Sequence, residues 1–459
     1  MHPRKSVSRA RTADAPRDSV GLPGLLMAAA VGLVYAGRVE ATAKETGHFR
    51  AACVKIDITP DTPQWLHGYG PRQSTGVHDR IYHRIAALDD GETTFFLVAT
   101  DICTILPSFY QDCCEKLARE AQIRPEHIWW STTHTHSAPH VGPQDLGALF
   151  ARTLGDRFSI QHDTAYWASV VDRLVRGVKE AQSRLEPARL GIVSSTAAAN
   201  VNRRERRADG KTVLGVNPEG PVDRQLGVLR LERPDGTLIG LIANYAIHGT
   251  ALGGGNKLIS GDVPGFAAQY VERATGVPLL FINGAEGNAA PLHSVGSNIQ
   301  DPRLREYDTL LGERILTANA AVRNATADVR LRVGKTVVET PRRAGLGWPE
   351  ALASYASTSA DGTPLVRVPV YSLTVNSDTA IWAAPLELFS EVSLSICQAS
   401  PFAHTFYFGL TNGSLLYLPT QAAFAEGGYE PNVSPFTDRA EADFTSAVTQ
   451  YLRQLKAEP

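Results

Sequence analysis

The sequence predicts an α/β fold: one large layered domain of mixed β-sheets flanked by helices. Three observations carry this reading. Apolar alternation marks strands in antiparallel runs near the start of the chain and again after residue 329. Between those runs, strands alternate with segments of helical spacing, the order that builds parallel pairs. No internal repeat and no linker of domain-boundary quality interrupts residues 46–459.

The elements follow in order. Residues 51–58 (AACVKIDI) alternate and stop at Thr59-Pro60, a strand closed by a turn. Residues 81–89 and 93–100 are strands around Asp89-Asp90-Gly91, which predicts a hairpin. Helical spacing covers 108–121, and 127–132 (HIWWST) is a buried strand. Residues 165–185 form a long amphipathic helix. Strands are expected at 190–193, 227–232 and 238–246, the last two joined by Pro234-Asp235-Gly236. A helix at 263–273, a short strand at 279–282 and a helix at 303–325 come next. Strands at 329–339, 365–375 and 379–383, a helix at 386–399, a strand at 405–410 and a closing helix at 438–456 complete the chain.

Composition narrows the function. Apolar residues make up 43% of the 459 and charged residues 20%, the balance of a globular enzyme and not of a disordered chain. The formal net charge of -2 leaves no basic footprint for DNA or RNA, so no nucleic-acid partner is expected. No apolar run in the body of the chain reaches the roughly 18–20 residues that cross a bilayer, so it is not expected to be an integral membrane protein. Five cysteines, an odd number without a CxxC pair, read as small buried thiols and not as a disulfide framework.

The first 45 residues differ from the rest. Arg4, Lys5, Arg9, Arg11 and Arg17 precede the apolar stretch 21–37, and Ala41-Thr42-Ala43 follows it. That is the order of a secretory signal, so residues 1–45 are read as a leader and the protein as exported, periplasmic or secreted. If the segment is only an extension, the protein is cytoplasmic. Met27 offers a second start, with a shorter leader.

The chemistry concentrates in Thr133-His134-Thr135-His136-Ser137, directly after a buried strand. Residues two apart on a strand share a face, so His134 and His136 are expected to point the same way. Paired imidazoles suit a zinc ion, or one ligand and a proton-transfer partner. His248 stands in a similar place, at the end of the strand expected at 241–247. A carboxylate or phenolate is needed to complete a zinc site, and spacing alone does not choose among them.

These motifs, in this order, resemble the catalytic domain of the neutral/alkaline non-lysosomal ceramidases. The resemblance runs from about Ala51 to about Tyr429. Its landmarks include Gly76-Val77-His78-Asp79-Arg80, Thr133–Ser137, Asn202-Arg203, NYAIHG at 244–249, ISGDVPG at 259–265, NGAEGNAAP at 283–291, Pro385-Leu386-Glu387 and Gly427-Gly428. The resemblance implies a zinc ion held by His134, His248, Glu387 and Tyr417. It implies a place for His136 beside the reacting water, and for Arg203 at the substrate carbonyl or oxyanion. It also implies a zinc-dependent hydrolase of an N-acyl amide, acting on a small-molecule or lipid substrate. Esters, lactones and sugar-derived amides are the alternatives, as is a metal-binding pseudoenzyme.

Three departures matter. The family's Gly-Asn/Asp-x-Ser-Pro motif reads Gly287-Asn288-Ala289-Ala290-Pro291 here, so Ala290 takes the place of the serine. The segment between His248 and Glu387 is shorter than in ceramidases, where it shapes the lipid-facing pocket. The chain also reads as a short member, without the C-terminal immunoglobulin-like domain.

Overall fold

The hairpin after Asp57 shows how the layers are built. In this computed structural model, which describes residues 47–143, 163–294 and 303–458, Tyr82–Asp89 and Thr94–Thr100 pair antiparallel. Arg50–Asp57 pairs antiparallel on the far side of Tyr82–Asp89, and Ile128–Thr132 pairs parallel with Thr94–Thr100. The strand Ile128–Thr132 is buried along its whole length, which explains why its sequence is continuous and not alternating. A second sheet orders Leu279–Asn283, Leu238–Tyr245, Gln225–Glu232 and Arg189–Thr196, its first pair parallel. A third antiparallel sheet holds Ala289–Pro291, Asn200–Arg206 and Thr212–Asn217. Leu331–Pro341, Pro364–Val375, Thr379–Ala383 and His404–Phe408 form the path of a fourth, mixed sheet.

Sheets lie inside and helices outside. Phe95, Leu97 and Trp129 of the first sheet pack with Leu229 and Ile242 of the second and with Phe406 and Phe408 of the fourth. Helices Pro107–Ala121 and Thr164–Ser183 cover the outer face of the first sheet through Leu117, Val170 and Leu174. Asp262–Thr275 and Glu313–Ala321 cover the second through Val263, Ala267 and Ile315. Ser390–Ala399 and Ala440–Ala457 cover the fourth through Val392, Phe444 and Val448.

Several expected elements differ. The helix expected at 386–399 is a two-residue strand, Glu387–Leu388, followed by a helix only from Ser390. Leu386-Glu387-Leu388-Phe389 fits either spacing, and pairing with Tyr417–Leu418 pulls it extended. The helix expected at 303–325 is π-helical at Asp308–Gly312 and α-helical only over Glu313–Ala321. Thr326 bridges Leu190, which draws the chain out of the helix. The third sheet and the strand Tyr417–Leu418 were not expected at all. Cys103, Cys113 and Cys114 are buried as expected, whereas Cys53 and Cys397 are partly exposed, and all five are free thiols. The leader expectation lies outside the described residues. Among the described residues, no helix is long and apolar enough to cross a membrane.

An ion network ties the first sheet to helix Asp262–Thr275. Fully buried Arg84 donates to Asp101 (2.7 Å) and to Glu272 (2.6 Å), and Lys55 adds a second cation at Glu272. Burial works against the charge on Glu272, but Arg84 and Lys55 outweigh it and hold the carboxyl below its usual range. The stability this contributes is complete above the unfolded glutamate pKa of about 4.3 and is lost as pH falls through the lower folded value. Because Arg84 keeps Asp101, Glu272→Gln is expected to cost about 1.5–3 kcal/mol near neutrality, the scale of a hydrogen bond to a charged group. Denaturant titration should show that gap narrowing below about pH 4; a gap independent of pH would count against it.

Candidate metal centre

The histidines are not on a strand. The strand ends at Thr132, and His134 adopts a left-handed backbone with φ 60°. Its N–H donates to Ile102 O (3.0 Å), so the turn after Thr94–Thr100 sets its position. The shared-face expectation therefore fails in its geometry, yet His134 Nε2 and His136 Nε2 lie 3.3 Å apart. His248 likewise lies three residues beyond its strand, which ends at Tyr245. A bridge between Thr135 and Gly249 joins the two histidine segments. Only glycine permits it, because a Cβ at Gly249 would fall 2.6 Å from Thr135 Cα.

Each ligand candidate is oriented from behind. His134 Nδ1 faces Cys103 O at 3.0 Å, and His248 Nδ1 faces Glu286 O at 2.7 Å. A carbonyl only accepts, so both Nδ1 atoms carry a proton and both Nε2 atoms are left to face the centre. Those two Nε2 atoms each lie 3.2 Å from Glu387 Oε2. The three atoms fall within 4.8 Å of one another, all buried. Although so close, Glu387 Oε2 has no hydrogen-bond partner. Two imidazole nitrogens and a carboxylate oxygen converging at this range could hold a cation between them, and that donor set suits zinc. Burial and then Arg203 push the His248 imidazole down to about 4, which leaves it uncharged at neutral pH.

Tyr417 reaches the same place through the short ladder, where it stands directly opposite Glu387. Its ring stacks on His248 with centroids 6.5 Å apart and planes 10° apart. Burial, and next the Glu387 carboxylate, hold its phenol well above the usual range. Arg203 lies over the Tyr417 ring at 5.4 Å, and its Nη1 donates to His248 Nε2 at 2.9 Å. Glu430 fixes the guanidinium through Nε (2.8 Å) while accepting Arg204 on its other oxygen (2.7 Å). Arg203 Nη2 is buried and has no partner. His136 is buried too, and burial followed by the two neighbouring imidazoles pushes its pKa well below 6.5. It is therefore neutral near pH 7.

All six residues singled out in the sequence thus meet in one centre. Residues 49–280 match the family described as neutral/alkaline non-lysosomal ceramidase, N-terminal. The chain belongs to this family. Neutral ceramidase of Pseudomonas aeruginosa is 28% identical over 259 residues, 53% of this chain and 37% of that protein. Neutral ceramidase of Mycobacterium tuberculosis is 26% identical over 237 residues, 48% of this chain and 35% of that protein. The matched stretch thus spans little more than a third of these relatives' length. The crystal structure of the Pseudomonas aeruginosa neutral ceramidase superposes with a TM-score of 0.70 at 20% identity, covering 89% of this chain and 74% of that one. That likeness shows the layered α/β fold expected from the sequence.

Within this ceramidase-family chain, His134, His136, Arg203 and His248 fall inside the matched residues, while Glu387 and Tyr417 lie beyond them. Ala290 is buried on Ala289–Pro291 opposite Val201. The backbone there works for the site: Ala289 O accepts from His248 N (3.2 Å) and Asn288 O from Arg203 N (2.9 Å). Three site residues were missed in the sequence. Cys103 Sγ lies 3.7 Å from His134 Nδ1, and with His134 and His136 it forms a second convergent set. Glu286 is fully buried, neither carboxyl oxygen has a partner, and burial raises it to about 8. Its only signal was a charge among small residues in NGAEGNAAP. Tyr69, with its ring 4.8 Å from that of His136, carried no signal at all.

Proposed function

We propose that this protein is a zinc-dependent hydrolase of an N-acyl amide bond, with residues 46–459 as the catalytic domain and 1–45 as an export leader. The observation that supports it most is the meeting of His134 Nε2, His248 Nε2 and Glu387 Oε2 in a buried centre of a ceramidase-family fold. Zinc held by these three and Tyr417 would acidify a water and polarise an acyl carbonyl. Neutral His136 stands beside His134, placed to take the proton of the attacking water and pass it to the leaving nitrogen. The partnerless Nη2 of Arg203 supplies a donor for the carbonyl oxygen as it gains charge. Ala290 has no hydroxyl, so water and not a serine at that position is the nucleophile. Ala290 also motivates the second reading, a metal-binding pseudoenzyme.

A panel of N-acyl amines, esters and lactones, assayed before and after chelation, tests the reading. Amine release that stops on chelation and returns with zinc is the expected result. Turnover of esters or lactones alone would move the bond, and an inert zinc-loaded protein would favour the pseudoenzyme.

A further inference from the structure

Among the described residues, a buried cation beside the centre has no acid to match it. Arg72 is 7% exposed, and it follows Gly70-Pro71 in the loop that carries His67 and Tyr69. Its Nε donates to Asn256 O at 2.9 Å, and one Nη donates to His136 O and His67 O. The other, Nη1, is buried without a partner. None of the ion pairs among the described residues includes Arg72, unlike buried Arg84, Arg203 and Arg204, each of which pairs with a carboxylate. A guanidinium taken out of water costs several kcal/mol unless a charge compensates it.

Its position links it to the chemistry. The Arg72 guanidinium lies 4.7 Å from the Tyr69 ring centre, and that ring packs edge-on against His136 at 4.8 Å. The centre thus offers two partnerless guanidinium donors, Arg72 Nη1 and Arg203 Nη2. Arg203 Nη2 is accounted for by a carbonyl oxygen. Arg72 Nη1 calls for a second acceptor, and an anionic one.

We propose that the substrate carries a carboxylate close to its scissile amide, held by Arg72, so that the site takes N-acyl amino acids in preference to neutral N-acyl amino alcohols. This rests on the N-acyl hydrolase reading above. Water breaks the C–N bond: the acyl carbon keeps the hydroxyl as a carboxylic acid, and the nitrogen leaves with the proton as the free amino acid. No oxidant or reductant is needed.

The test pairs N-hexanoylglycine with N-hexanoylethanolamine, which match in length and differ in the charged group. Calorimetric binding and kcat/KM are measured on the zinc-loaded full chain. The acid is expected to be preferred by about 10–100-fold, the scale of a hydrogen bond to a charged group. Arg72→Gln should bring the ratio near one, and Arg72→Lys should keep part of it. If Arg72 only staples the loop through backbone carbonyls, Arg72→Gln weakens both compounds alike and the ratio survives, which overturns the proposal. Equal or better binding of the ethanolamide by the wild-type chain overturns it as well, and needs no variant to fold. If neither compound is hydrolysed but the acid binds with an Arg72-dependent preference, the carboxylate site stands and the amidase reading falls.

Discussion

His248→Ala is expected to empty the metal centre and to lower kcat by about three orders of magnitude. Wild-type protein should hold about one zinc per chain, as four-ligand sites do. His248 supplies one of three converging ligand atoms and is fully buried, so no solvent-facing group replaces it. Losing Lewis-acid stabilisation worth several kcal/mol corresponds to about 10³-fold at 1.36 kcal/mol per decade. Metal analysis and activity should fall together in His248→Ala and in His134→Ala. Full occupancy in both variants would sink the assignment. Zinc retained in His248→Ala but lost in Cys103→Ala would move the ion to the set Cys103, His134 and His136. Zinc should also raise the unfolding free energy, by about 4 kcal/mol when free metal is 1,000 times its Kd.

Removing Arg203 should cost about 10²–10³-fold in kcat, the scale of one oxyanion donor. The loss should fall on kcat more than on KM, because the donor meets charge that develops only in the transition state. The fold should survive, because Glu430 keeps its bond to Arg204 at 2.7 Å. An unchanged kcat in a folded Arg203→Ala protein would remove Arg203 from the mechanism. The same experiments bear on Ala290. Mass spectrometry during turnover should find no acyl adduct on any serine, and Ala290→Ser should not be required for activity. A trapped acyl-serine, or activity gained only on Ala290→Ser, would count against attack by water.

The parts of the fold legible in the sequence were those with long, repeated patterns. The strand over 93–100, the helix over 165–185 and the closing helix each offered several periods of alternation or helical spacing, and each appears within a few residues of its expected bounds. Short elements were not legible. Glu387–Leu388 and Tyr417–Leu418 have two residues each, fewer than one period of any pattern, and their pairing partner is 30 residues away. Ala289–Pro291 is made of small residues and proline, and only its ladder with Asn200–Arg206 makes it a strand.

The site divides along the same line. By itself the sequence determined that His134 and His136 come just after one buried strand and His248 close to the end of another, though it placed the first two on a shared strand face, and that Ala290 lacks a hydroxyl. These are local properties, carried by chemistry and spacing along the chain. Tertiary structure alone decided that His134 takes a left-handed backbone, that Glu387 faces Tyr417 across a ladder, and that the two Nε2 atoms meet one carboxylate oxygen. It also decided that Arg72, Glu286 and Cys103 stand buried around that point. The reason is physical: burial and convergence arise from contacts between segments far apart in the chain, and a partnerless charge is defined by what surrounds it, which no local pattern encodes.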